Sequence, residues 1–165
     1  MLRLLLVRHA QAAPARHGED DRARALDASG EREVRIMARL LQAQPLRPTR
    51  LLSSPARRAL RTASILAKEL DLPAHALRSE QRLYLAAAQN LQEIVHELGG
   101  RADPLMIVGH NPGLTQFASE LSSERSIDTL PTCAVCRLEF DIEDWRELEW
   151  ASGVNVRIDY PAGRR

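Results

Sequence analysis

Two continuous apolar runs, Leu4-Leu5-Leu6-Val7 and Leu105-Met106-Ile107-Val108, each lead into a histidine, and the segments between them carry apolar residues at helix spacing. A short unbroken apolar run suits a strand buried on both faces, which arises when helices cover a parallel sheet on either side. The first strand is read over Leu2 to Arg8 and delivers His9-Ala10. A later one, Pro104 to Gly109, delivers His110-Asn111-Pro112-Gly113. Between them Thr49 to Ser53 stops at Ser54-Pro55 and opens a helix carrying Arg57, Arg58 and Arg61. Strand alternating with helix predicts a three-layer α/β/α sandwich with a mostly parallel central sheet.

The helical segments can be placed from their caps and stripes. Asp27 suits an N-cap before Val34, Met37, Ala38 and Leu41, and Pro45 ends that run. Ser54 suits the next N-cap and Pro55 the first helical position, with Ala59, Ala63, Leu66 and Leu70 on the buried stripe. Leu91, Ile94, Val95 and Leu98 mark a third helix closed by Gly99-Gly100, and Leu114, Phe117, Ala118 and Leu121 a fourth beside His110. Residues 133 to 141 and 146 to 151 alternate as two further strands, antiparallel at an edge. Residues 11 to 26 have no period and read as a loop over the crevice mouth. One domain over 1–160 with a frayed tail at 161–165 is expected.

Charge and cysteine content narrow the function classes. Lys and Arg total 23 against 22 Asp and Glu, a formal +1, so no nucleic-acid partner is expected. The apolar start is too short for a membrane span or a signal-peptide core, which predicts no membrane association and a cytoplasmic location. A monomer is expected. Cys133 and Cys136 stand alone as a CxxC, and alternation would send them to opposite faces as two half-buried residues rather than a zinc or redox pair.

Parallel strands bring their carboxyl ends to one crevice, the usual ligand site of an open α/β sheet. Here that would gather His9, His110 and the guanidinium of Arg58. Guanidinium forks match phosphate oxygens, and an imidazole can take up a phosphoryl group covalently. A helix start beside them adds free N–H groups and a positive dipole end. For His17, His75 and His96 a surface role is expected, and Arg57 and Arg61 read as a solvated helix face.

Arg8-His9 after one strand, Ser54-Pro55-x-x-Arg58-Ala59 after another and Gly109-His110-Asn111-Pro112 after a third resemble the histidine phosphatase superfamily, from Leu2 to about Leu121. The segment Asp21-x-x-Arg24-x-Leu26-x-x-x-Gly30 is similar to that of its SixA-type phosphohistidine phosphatases. The resemblance implies that His9 is the nucleophile and that Arg8, Arg58 and His110 stabilise the transferring phosphoryl group. Arg24 would reach the phosphate or pair with Asp21, and Asn111 would bind substrate. No cofactor and no metal are implied. Ester-cleaving relatives carry an acid just after the segment matching Leu83-Tyr84; here that position is Leu85, with Glu80 the nearest substitute. This favours a phosphohistidine on a protein, such as a histidine-phosphotransfer domain or phosphocarrier, over a small phosphorylated metabolite. A small-molecule phosphomonoesterase and a non-catalytic phosphate-binding module remain the alternatives.

Overall fold

A computed structural model describes residues 1–161. Its strands are β1 (Leu2–Arg8), β2 (Arg50–Ser53), β3 (Leu77–Ser79), β4 (Leu105–Gly109), β5 (Val135–Phe140) and β6 (Val154–Asp159), and its helices α1 (Ala28–Ala43), α2 (Arg57–Glu69), α3 (Ala88–Leu98) and α4 (Gly113–Leu121). They form one sheet in the order β3-β2-β4-β1-β5-β6. The pairs β1–β4, β2–β4 and β2–β3 are parallel, whereas β5 and β6 add antiparallel at one edge.

Alternation along β1 divides the core. Leu5 and Val7 pack with Val34, Met37, Ala59 and Ala63 of α1 and α2. Leu4 and Leu6 pack with Leu91, Ile94, Leu114 and Phe117 of α3 and α4. Three layers result, and β1 and β4 are buried on both faces, as their unbroken apolar runs require. Asp27 caps α1 by accepting from Gly30 N at 2.7 Å. Gly30 is required there because a Cβ would lie 2.2 Å from the Gln11 carbonyl oxygen. Gly100 follows the end of α3 with φ +56, a left-handed step that glycine takes without steric cost. No described helix is long and apolar enough to cross a membrane.

Several expectations are corrected. Residues 146 to 151 are not a strand: Trp145–Glu147 is a 3-10 turn with a reciprocal Asp144–Glu147 cap, and the final strand comes later, at Val154–Asp159. Local side-chain caps and burial of Trp145, whose ring N–H donates to the Ala102 carbonyl at 2.7 Å, outweigh the alternation. Helix α2 begins at Arg57 behind Ala56, because Ser54 Oγ accepts from Ala56 N at 3.2 Å in the turn before it. Thr49 and Pro104 fall just outside their strands, with Asp103-Pro104 in the cis form. The three-residue β3 is too short to carry a period. Both cysteines are fully buried, on opposite sides of the sheet, and burial pushes the Cys136 thiol up to about 12. His17 and His75 are exposed, whereas His96 is partly buried with Nε2 2.9 Å from the Leu148 carbonyl. Of the tail, residues 162–165 lie outside the described residues.

Candidate active site

The registers of the parallel strands assemble the site. Arg8 pairs with Gly109 across β1 and β4, so the next residues, His9 and His110, emerge side by side with ring centroids 5.2 Å apart. Ser53 pairs with Val108 across β2 and β4, which brings Ser54 and the start of α2 alongside. Thr62 fastens α2 to the end of β1: its hydroxyl donates to the Arg58 carbonyl at 2.8 Å and accepts from Ala10 N at 3.1 Å.

His9 Nδ1 lies 2.8 Å from the Ala10 carbonyl. A carbonyl only accepts, so Nδ1 carries the proton and Nε2 keeps its lone pair. Nε2 in turn accepts from Arg58 Nε at 3.3 Å. The outer edge of the Arg58 guanidinium donates to the Asp21 carbonyl at 2.8 Å and to Asp21 Oδ2 at 2.9 Å, and Nη2 lies 3.5 Å from His110 Nδ1. Asp21 thereby orients the guanidinium so that its inner edge faces both imidazoles. His110 Nε2 is 2.7 Å from the buried Ser54 Oγ. Tyr84 places its ring edge-on to His110 and donates its hydroxyl proton to Asp21 Oδ2.

The electrostatics follow from burial and from the arginines. Burial above all, then the charges of Arg58, Arg8 and Arg24, push His9 down to about 4 against the opposing hydrogen bond to Ala10. Burial, then His9 and Arg58, push His110 down to about 3. Both imidazoles are therefore neutral at pH 7. The Tyr84 hydroxyl first, then Arg24 and Arg58, hold the Asp21 carboxyl well below the usual carboxylate range, and Asp21 raises the Tyr84 phenol in return.

Arg8, His9, Arg58 and His110, the four residues assigned to the chemistry, thus lie around one crevice. Arg8 donates through Nη1 to the Leu130 carbonyl at 3.0 Å, and its Nε is buried without a hydrogen-bond partner among the described residues. Arg24 bonds Asp21 Oδ1 at 3.1 Å and the Ala13 carbonyl at 3.0 Å, so in this state it holds the loop rather than the open crevice. Asn111 is taken up by protein partners: Nδ2 donates to Leu130 O at 2.9 Å, and Oδ1 accepts from Thr115 N at 3.2 Å and Thr115 Oγ1 at 2.7 Å. It clamps the segment around Leu130 onto α4. Glu80 accepts from Arg82 N at 3.0 Å and from Arg82 Nη2 at 3.1 Å, which holds its carboxyl below the ordinary value. Arg61 is ion-paired with Glu31, and Arg57 is exposed. Sequence reasoning missed Asp21 as the partner of Arg58, Tyr84 as its second clamp and Ser54 as the contact of His110. Asp21 stood in the Asp21-x-x-Arg24 segment, and only its pairing with Arg24 was anticipated. Among the described residues no group of three or more His, Cys, Asp or Glu side chains could hold a metal ion.

The family model of the histidine phosphatase superfamily (branch 1) matches residues 4–84. Its span includes Arg8, His9, Asp21, Arg58 and Tyr84, and the fold extends the likeness across the whole chain. Over residues 4–84 the sequence is similar to the histidine phosphatase superfamily. Its fold is similar to that of the protein histidine phosphatase SixA complexed with tungstate, with a TM-score of 0.82, 22% identity and 97% of each chain covered. The SixA protein from Agrobacterium tumefaciens superposes with a TM-score of 0.78 at 24% identity, over 94% of this chain and 97% of that one. A mycobacterial glucosyl-3-phosphoglycerate phosphatase in complex with VO3 has a TM-score of 0.68 at 17% identity, over 96% and 98%. No curated protein matches the sequence.

Proposed function

We propose that this chain is a metal-independent phosphatase that passes the phosphoryl group through His9, and that its substrate is a phosphohistidine on a protein such as a histidine-phosphotransfer domain or a phosphocarrier. The observation that carries the proposal is the state of His9. Its Nδ1 proton is held by the Ala10 carbonyl, its Nε2 lone pair faces the crevice arginine, and it is neutral at pH 7. In the first step Nε2 attacks phosphorus in line, the bond from phosphorus to the substrate nitrogen breaks, and the electron pair leaves with the substrate imidazole. In the second, water attacks the phosphohistidine, inorganic phosphate leaves, and His9 recovers its lone pair. Two easier steps replace one hard one. Arg58 and Arg8 supply charge to the phosphoryl oxygens, a task that positioned guanidinia perform without a metal.

The preference for a nitrogen leaving group rests on proton supply. An alkoxide leaves poorly without a general acid, whereas a protonated phosphoimidazole departs unaided. By the sequence resemblance Leu85 stands where ester-cleaving relatives keep an acid; Glu80 is ionised against Arg82, and Asp21 is ionised against Arg58, Arg24 and Tyr84. The test is turnover of a phosphohistidine-bearing protein beside a panel of alkyl and aryl phosphates, before and after exhaustive chelation. Expected are efficient P–N cleavage, hydrolysis of aryl but not alkyl esters, and no response to chelation. Efficient hydrolysis of an alkyl phosphate would establish the phosphomonoesterase instead, and loss on chelation restored by one divalent ion would overturn metal independence.

A further inference from the structure

Beside the crevice, the turn at Asp21–Ala23 and the outer face of α2 enclose a groove of ≈ 540 Å³ whose lining includes Arg22, Leu26, Pro55, Arg57, Leu60 and Arg61. Its lining residues are chain neighbours of active-site residues, and one of them touches Tyr84. Pro55 follows Ser54, which contacts His110; Arg57 precedes Arg58; and the Arg22 guanidinium stacks 4.2 Å from the centroid of the Tyr84 ring. Three guanidinia line the groove against one carboxylate, Glu31, which Arg61 occupies at 2.7 and 2.9 Å. Arg22 and Arg57 are exposed, and neither has an acidic partner among the described residues.

Next to Tyr84, Leu85 is 56% exposed and has φ +50. A left-handed conformation is sterically disfavoured for leucine, and here it holds an apolar side chain out in water. The turn is well anchored. The Ala86 carbonyl oxygen would lie 1.8 Å from a Cβ on Gly113, so only glycine lets this segment seat against the start of α4.

We infer that Arg22, Arg57 and Leu85 form a docking rim for the protein that carries the phosphohistidine, and that the rim receives an acidic, partly apolar surface beside the phosphorylated residue. The inference rests on the proposed function. A phosphoimidazole on a folded protein reaches only the length of its own side chain into the crevice, so the surface around it must settle on the groups that border the mouth. Two guanidiniums without an acidic partner among the described residues, beside a mixed lining whose apolar members include Leu26, Pro55 and Leu60, complement carboxylates set among apolar side chains, and such charges act mainly on the rate of encounter.

The test compares two substrates of unequal size: an acidic histidine-phosphotransfer domain phosphorylated on its histidine, and N-phosphoimidazole. The double variant Arg22→Ser/Arg57→Ser is expected to lower kcat/KM on the domain about tenfold at low salt, the usual order for lost electrostatic steering. The difference should vanish near 1 M salt, where the Debye length is about 3 Å. Leu85→Ser is expected to lower kcat/KM on the domain about fivefold at every salt concentration, the order expected from burying part of one leucine. Both variants should turn over N-phosphoimidazole within about twofold of wild type, the level at which an exposed charge outside the reacting groups acts. Equal losses on both substrates, or none on the domain, would overturn the docking rim. Wild-type enzyme inert on the domain yet active on esters would sink the functional reading itself, and that failure is visible before any variant is made.

Discussion

Replacing Arg58 by lysine keeps the charge and removes the fork, which separates geometry from electrostatics at the centre of the site. The side chain is 4% exposed and donates to the Asp21 carbonyl at 2.8 Å, Asp21 Oδ2 at 2.9 Å and His9 Nε2 at 3.3 Å, with His110 Nδ1 at 3.5 Å. A lysine ammonium is a single point that can meet Asp21 or a phosphoryl oxygen but cannot bridge the two edges at once. Removing one positioned donor from a developing oxyanion costs about 2.7–4 kcal/mol, or about 10²–10³ in rate. The stability cost is smaller. Asp21 is 43% exposed, so water replaces much of the lost pairing and about 1 kcal/mol is the upper expectation. Against a typical stability of about 5–15 kcal/mol this leaves the variant folded, so the rate effect dominates. The measurement is the single-turnover rate of phosphoenzyme formation by rapid quench, with thermal melting as the control for folding. A folded Arg58→Lys enzyme within tenfold of wild type would refute the reasoning, as would Arg57→Lys proving the more damaging of the two.

His9→Ala is expected to abolish turnover, and quenched wild-type enzyme should carry acid-labile label on His9; label elsewhere would remove His9 from its role. Because His9 is pushed down to about 4, kcat/KM should stay level from pH 7 to about 5 and fall only below that, and an acid limb centred near the ordinary histidine value of about 6.5 would contradict the buried, neutral nucleophile. Stability should follow the same sign. His9 and His110 have folded values of about 4 and about 3, below the ordinary one, so the unfolded chain binds more protons as the pH falls from 6.5 towards them. The loss should be about 2 kcal/mol per histidine between pH 7 and 5, and a melting temperature that rises over that interval would be inconsistent with it. Glu80→Gln should leave turnover of a phosphohistidine protein unchanged, since its carboxylate is held by Arg82; loss of an alkyl-phosphatase activity in that variant would identify Glu80 as a proton donor.

The strands and helices that carry the chemistry were legible because each rests on a local rule. The runs at Leu4–Val7 and Leu105–Val108 need burial on both faces, Asp27 is a cap, and Gly99-Gly100 closes a helix. Once the sheet is parallel, the ends of β1, β2 and β4 must gather His9, the Arg58-bearing start of α2 and His110 at one crevice, so the chain's own order implied the main constellation. The strand misread at 146 to 151 shows the limit: an alternating pattern in sequence does not require a strand, and here the capped turn buries Trp145 and Leu148, three residues apart, and leaves 146, 147 and 149 to 151 exposed. The contacts that set the site's state came from tertiary structure alone. Asp21 meets Arg58 across 37 positions and Tyr84 across 63, separations at which no spacing rule operates. Asn111 looked like a ligand because it follows His110, yet the position of Leu130 and Thr115 gives its amide other partners. Sequence by itself determined which side chains could handle a phosphoryl group. Burial decided that both histidines are neutral, and the return of the 11–26 loop over the crevice decided which way the Arg58 fork faces, because desolvation and hydrogen-bond direction exist only once distant segments have closed around one another.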